Sequence, residues 1–228
     1  MIIDIHVHTS EYSLGDSSLS IENAIIRAKS IGLDGICFTD HESLGIYDFA
    51  AELSARYDFL VIPGIEILTH EGDLLVFGME ELPTRKLHAS ELVSLVKQKG
   101  GAAISAHPFR DNKRGMGHHI TRMDETIGIE VLNGRTVREN NAKAFRLALE
   151  LGYPCLGGSD AHTEEEVGAF ATLFPGKIRN LEDLIRSVNQ NEVSPLIRQK
   201  GNYLALEEPV EENRRYLRSA HSLLYSFS

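Results

Sequence analysis

Short apolar runs that read as strands alternate with amphipathic helical stretches along most of this 228-residue chain, and the strand-like runs keep ending in histidine or carboxylate. Residues 2–6, 35–39, 59–67, 102–106, 127–132, 154–157 and 169–174 have strand character, with 74–78 pairing nearby. Between them, residues 21–31, 44–57, 91–99, 137–151 and 181–190 carry helical periodicity. Ser20 and Ser90 stand where N-caps belong, and Gly32 and the Gly100-Gly101 pair stand where helices stop. Repeated strand-then-helix units imply an α/β fold, a parallel sheet with helices outside. This many units predicts closure into a (β/α) barrel of about seven strands, one short of the usual eight. An open doubly wound sheet is the alternative, but no stretch resembles a glycine-rich dinucleotide loop.

The length suits one large domain, read here as a barrel over residues 1–200 with a C-terminal appendage over 201–228. Within the appendage, Glu207-Glu208-Pro209-Val210-Glu211-Glu212 reads as a solvated acidic turn. No apolar run approaches the ~20 residues of a membrane span, so no membrane partner is expected. Met1 leads straight into a strand with no basic leader, and a cytoplasmic protein is expected. Cys37 and Cys155 sit in apolar strand contexts and read as small buried residues, not as a disulfide or a thiolate zinc site. The formal net charge of −10 argues against general binding of long nucleic acid. It leaves a phosphate substrate open, because divalent ions invert the local field.

The strand ends carry the chemistry. In Asp4-Ile5-His6-Val7-His8-Thr9 the two histidines are two apart, so in an extended strand they face the same way and can grip one ion. The next strands end in Thr39-Asp40-His41, in Pro63-Gly64-Ile65-Glu66, in Ser105-Ala106-His107-Pro108 and in Gly157-Gly158-Ser159-Asp160-Ala161-His162. Strand C-termini of a barrel form one rim, so these segments converge. Each residue also has a plain structural reading: Asp40 or Asp160 as a cap, His107 as an ordinary loop histidine. Together they would be coincidences at corresponding positions. Imidazoles and carboxylates without thiolates suit zinc, manganese or iron. There are more donors than one ion can use, which implies two or three divalent ions, with Glu66 the candidate bridge. His88 and His221 read as surface residues and His70 as part of a turn. The loop from Arg110 to His119 is either flexible and solvated, or a lid meeting a phosphate through Arg110 or Arg114.

With these motifs in order, the chain resembles the PHP (polymerase and histidinol phosphatase) family of metal-dependent phosphoesterases. The resemblance spans Asp4 to His162 and implies a distorted (β/α)7 TIM-like barrel with a three-metal site. It implies that His6, His8, Glu66 and Asp160 hold one metal, Glu66 and His107 a second, and His41 and His162 a third. Asp16, in Gly15-Asp16-Ser17, matches a further ligand after the first motif. One departure stands out: where many members carry a histidine for the second metal, this chain has Asp73, a carboxylate that favours a harder ion such as manganese. The implied activity is hydrolysis of a phosphomonoester, on a small molecule or nucleotide, by metal-activated hydroxide. Asp40 or His162 is expected to pass a proton to the leaving oxygen, Arg110 to help hold the phosphate, and Asp4 to orient a ligand histidine. The rival readings are an amidohydrolase, whose pattern has no place for Thr39-Asp40-His41 and Glu66, and a non-catalytic metal-binding module.

Overall fold

The computed structural model describes residues 1–206, and its strands fall into two sheets. Strand β1 (Ile2–Val7) is buried almost throughout. Helix α1 (Ile21–Ser30) follows, started by Ser20, whose side chain accepts from the Asn23 N–H at 3.2 Å. Strand β2 (Gly35–Phe38) lies parallel to β1. The long second helix expected from sequence is split into a 3-10 turn at Gly45–Asp48 and helix α2 (Ala50–Tyr57), which ends at a left-handed Asp58. Strand β3 (Leu60–Pro63) then pairs parallel to β2.

The apolar run 59–67 does not form one strand. It breaks at Gly64, and β4 (Ile65–Leu68) starts the other sheet. A Cβ on Gly64 would sit 2.6 Å from the Phe77 ring, so only glycine permits this approach where the chain changes sheets. Strand β5 (Asp73–Phe77) is antiparallel to β4. Helix α3 (Ala89–Gln98) begins earlier than Ser90, because Glu71 accepts from the Ala89 N–H and Glu91 from the His88 N–H. Strands β6 (Ala102–Ser105), β7 (Gly128–Asn133) and β8 (Cys155–Gly158) complete the second sheet, with helix α4 (Arg138–Leu151) between the last two. Strand β9 (Phe170–Leu173) returns to the antiparallel side of β1. After helix α5 (Leu181–Asn189), β10 (Ser194–Gln199) and β11 (Asn202–Ala205) form a hairpin turning at Lys200 and Gly201, both at positive φ.

The first sheet therefore runs β11-β10-β9-β1-β2-β3 and the second β4-β5-β6-β7-β8. One core cluster joins them, with Ile3, Ile5, Cys37 and Ile62 meeting Leu75, Phe77, Ile104 and Leu156. The other clusters seat helices on the outside: Ala24, Ile25 and Ala28 of α1 on Ile36 and Phe38, and Val93 of α3 with Ala144 and Ala148 of α4 on Ala103 and Ile129.

The α/β character expected from sequence is present. Among the described residues, however, the strands do not close into one hydrogen-bonded barrel. The sheets are stitched at the strand ends by the bridges Val7–Ala161 and His41–Glu66, with the Asp160 N–H donating to the His6 carbonyl at 2.7 Å and the Glu66 N–H to Asp40 at 3.2 Å. The strand count exceeds seven for two reasons. The chain switches sheets at Gly64, and Pro195, Arg198 and Gln199 interrupt the apolar pattern by which β10 would be read. Residues 202–205, expected as the start of an appendage, pair with β10, and the acidic turn at 207–212 lies outside the described residues.

Candidate metal centre

The stitching just described places the polar strand ends side by side. His6, His8, Glu66, Asp73, His107, Asp160 and His162 are all buried. Four sets of donor atoms each lie within 4.8 Å of one another: His8 with His41 and His162, His6 with His107 and Asp160, His6 with His8 and Glu66, and Glu66 with Asp73 and His107. Glu66 is central. Its Oε2 is 3.0 Å from His41 Nδ1, 3.2 Å from His8 Nε2 and 3.5 Å from His6 Nε2. Its Oε1 is 2.9 Å from His107 Nε2. Asp160 turns Oδ1 to the same pair of histidines, 3.5 Å from His6 Nε2 and 3.4 Å from His8 Nε2. Asp16, half exposed, places Oδ2 3.1 Å from His41 Nε2 and 2.8 Å from His162 Nε2.

These spacings fit a divalent ion. Metal–nitrogen and metal–oxygen bonds of ~2.1 Å give donor–donor edges of roughly 3.0–3.4 Å in octahedral or tetrahedral shells. The strongest sign is that His6 Nε2 and His8 Nε2 lie 3.0 Å apart. Two imidazole lone pairs that close repel unless a cation, a proton or a metal, lies between them.

Electrostatics says the same. Burial disfavours charge on His6, but the carboxylates of Asp160, Glu130 and Glu66 outweigh it and hold its pKa well above the usual histidine value. Burial likewise opposes a charged His8, yet Asp160 and Glu66 raise it to about 9. Glu66 and Asp160 are held well below the ordinary carboxylate range, against their burial, chiefly by His6. The cluster thus binds positive charge tightly where the donors meet. His107 and Asp160 adopt left-handed backbone, at φ 30° and 55°. Such conformations cost about 1–3 kcal/mol each and persist where surrounding hydrogen bonds fix them.

Several supporting residues escaped the sequence reading. Glu130, fully buried in β7, pairs its Oε1 with His6 Nδ1 at 2.9 Å and accepts the His107 N–H on Oε2 at 2.7 Å. It therefore orients two histidines at once. Asn133, three residues on, donates to Glu130 at 3.0 Å and to Asp160 Oδ2 at 3.2 Å. The signal was available: a glutamate inside the apolar strand Gly128–Asn133 has no other reason to be buried. Asp4, expected to orient a ligand ring, instead accepts the backbone N–H groups of Ser159 and Gly168, both at 2.9 Å. Burial raises its pKa to about 6.

The two expected catalytic residues are both engaged by neighbouring protein groups. Asp40 is saturated by the β1 loop, accepting from the Thr9 N–H at 2.6 Å, the Thr9 hydroxyl at 2.9 Å and the Ser13 hydroxyl at 2.7 Å. Ser13 Oγ in turn lies 3.3 Å from His8 Nδ1, so Asp40 steadies that ring through the serine. Arg110 faces inward, donating to Asp160 Oδ2, to Asn133 at 2.6 Å and to Thr136 at 3.3 Å. The loop from Arg110 to His119, read from sequence as either flexible and solvated or a lid, is anchored at several points. Met116 and Ile120 are fully buried, the Gly117 N–H donates to the Pro108 carbonyl at 2.7 Å, and Arg114 pairs with Asp73. His88 pairs at the surface with Glu71, whereas His221 lies outside the described residues.

A buried histidine–carboxylate cluster at the strand ends of an α/β fold is a candidate site for divalent metal. A PHP domain model matches residues 4–149, and a PHP-associated model matches residues 138–193. The chain belongs to the PHP domain family of metal-dependent phosphoesterases. It is 30% identical over 142 residues to an uncharacterized protein of Methanocaldococcus jannaschii, a match covering 58% of this chain and 82% of that one. It is 26% identical over 133 residues to the phosphoribosyl 1,2-cyclic phosphate 1,2-diphosphodiesterase of Eggerthella lenta. That match covers 58% of this chain and 45% of the enzyme, so the chain spans less than half of that relative's length. Among solved structures, PsfC of Pseudomonas syringae aligns over 100% of this chain and 98% of its own, with a TM-score of 0.67 and 21% identity, a likeness of fold. Among the described residues no helix is long and apolar enough to cross a membrane.

Proposed function

We propose that this chain hydrolyses a phosphomonoester of a small molecule, nucleotides included, using two or three divalent ions. The observation that carries this reading is Glu66, whose two carboxylate oxygens serve different histidines: Oε1 faces His107 at 2.9 Å, and Oε2 faces His41 at 3.0 Å and His8 at 3.2 Å. In it, His6, His8, Glu66 and Asp160 would hold one ion, His41 and His162 with Asp16 another, and Glu66, His107 and Asp73 border a further position for an ion or another cation. Zinc, manganese or iron matches this thiolate-free set. Bound there, the ions supply Lewis acidity, lowering the pKa of water and neutralising the phosphate oxygens.

The chain's own residues do the positioning. Glu130 and the Ser13–Asp40 pair fix His6 and His8, while Arg110 and Asn133 fix Asp160. Substrate enters beside His162 and Asp16, where a cleft of about 320 Å³ is also lined by Ser18 and Arg135. Arg135 is exposed there and replaces Arg110 as the candidate phosphate contact, its planar fork matching two phosphate oxygens. A monoester dianion carries more charge for such a cationic centre to neutralise than a diester does. The leaving oxygen takes its proton from water in the open cleft, because Asp40 is committed to the loop and His162 would be a ligand. The stitched sheets are read as a distorted (β/α)7 barrel over residues 1–200.

The test uses metal-stripped protein with manganese, zinc or iron added back separately, on a panel of phosphomonoesters, phosphodiesters and amides. Metal-dependent phosphate release from monoesters, lost in His8→Ala, is the expected result. Cleavage of amides alone would move the chain to amidohydrolase chemistry. Tight metal binding without turnover would favour a binding module.

A further inference from the structure

Asp73 and Asp160 are both buried carboxylates beside the histidine cluster, and each is paired with an arginine from the same loop. They are paired differently. Asp160 gives Arg110 only Oδ2 and keeps Oδ1 turned to His6 and His8. Asp73 gives Arg114 both oxygens, Oδ2 accepting from Nε at 2.6 Å and Oδ1 from Nη2 at 3.0 Å. Oδ2 is also the oxygen that faces His107 Nε2, at 3.7 Å. The atom that would ligate is therefore already holding a cation.

Resting on the metal-dependent reading above, we infer that Arg114 is a resident cation of this centre. Its guanidinium takes the place of a divalent ion between Asp73, His107 and Glu66, so the chain holds one ion fewer than its donors would accommodate. A guanidinium has no lone pair to offer and stays charged at any working pH, so it neutralises Asp73 without coordinating anything. An ion brought onto Oδ2 of this fully buried carboxylate would face the guanidinium at close range. The backbone that carries Arg114 is fixed beside the site. Its carbonyl accepts the Asp73 N–H at 2.7 Å. Its neighbour Gly115 lies so close to Pro108 that a Cβ would sit 2.3 Å from the Pro108 carbonyl oxygen. Arg114 Nη2 also lies 3.4 Å from His41 Nδ1, which places the cation alongside the Glu66 bridge. His107 then serves as a hydrogen-bond partner of Glu66 Oε1, and Asp73 positions Arg114.

The test counts metal. Full-length protein is stripped, reloaded with excess manganese, desalted and measured by elemental analysis. The wild type is expected to retain about two ions per chain and Arg114→Met about three, since removing the guanidinium opens the position. Asp73→Asn is expected to stay at about two, because Asp73 is not a ligand. About three ions in the wild type, a drop in Asp73→Asn, or an unchanged count in folded Arg114→Met would each overturn the inference. Removing Arg114 strips a buried carboxylate of its counter-charge, so if that variant does not fold, the wild-type count and the Asp73→Asn arm decide the matter. A wild type retaining no metal is a different result, and it defeats the metal-dependent reading itself.

Discussion

Glu66 divides the centre into two halves that compensate buried negative charge in opposite ways. On the side of His6, His8 and Asp160 the compensation comes from imidazoles, with His6 held well above its usual pKa and His8 raised to about 9. Those protons can be exchanged for a metal. On the side of Asp73 it comes from Arg114, itself held above its ordinary range by its hydrogen bonds to Asp73. Burial and the nearby Glu66 charge push Asp73 upward, and the arginine opposes them. A buried carboxylate next to a metal centre is thus a ligand or not according to its counter-cation. A proton leaves when metal arrives, whereas a guanidinium does not.

The largest effect should come from the residue common to both halves. Glu66→Gln replaces a bridging anion by a neutral amide, and more than about 100-fold loss of metal-dependent phosphate release is expected, measured alongside retained metal. Activity within a few-fold of wild type would mean that Glu66 bridges nothing. Next comes Glu130→Gln, which loosens His6 and His107 together. Metal affinity, read by competition with a chelator, should fall about 10–100-fold, while Asp73→Asn in the same assay should barely move it. Equal losses in the two variants would erase the distinction between the halves.

The third difference is in pH dependence. His8 has a folded-state pKa of about 9 against an ordinary 6.5, so folding favours its protonated form. That stabilisation is complete below about 6.5 and is lost as pH rises through about 9. It amounts to at most about 3 kcal/mol. Urea unfolding of stripped protein should therefore show falling stability between pH 6.5 and 9. Saturating metal should remove the slope by taking the proton's place, and the Arg114–Asp73 side should contribute none of it. A flat profile without metal would show that protons do not compensate the first half. The smallest effect is reserved for Arg110→Gln. Asn133 still holds Asp160 Oδ2, so metal affinity should weaken only about tenfold, with a KM for phosphate esters close to wild type. A large rise in KM at unchanged metal affinity would return Arg110 to the phosphate.

His6, His8, His41, Glu66, His107, Asp160 and His162 were legible as a candidate cluster because they sit in or just after apolar strands, where local pattern and chemistry coincide. Asp16 and Asp73 came only through family resemblance, and the structure treats them differently: Asp16 meets His41 and His162, while Asp73 meets Arg114. Glu130 was overlooked, although a charge within an apolar strand was visible in the sequence. The hydrogen bonds of Asp40 were not legible, because its partners Thr9 and Ser13 lie some thirty positions away in the chain.

The sequence by itself therefore determined the alternation of strands and helices and the histidine and carboxylate motifs that follow the strands, since these follow from side-chain period and residue chemistry. Tertiary structure alone decided that the strands form two stitched sheets, a switch made where Gly64 passes against Phe77. It also decided which carboxylates keep an oxygen free for the centre. That depends on contacts such as Asp73 with Arg114, 41 residues apart, and Asp160 with Arg110, 50 apart. Such pairings are set by how the loop after β6 packs on the rim, which no local pattern encodes.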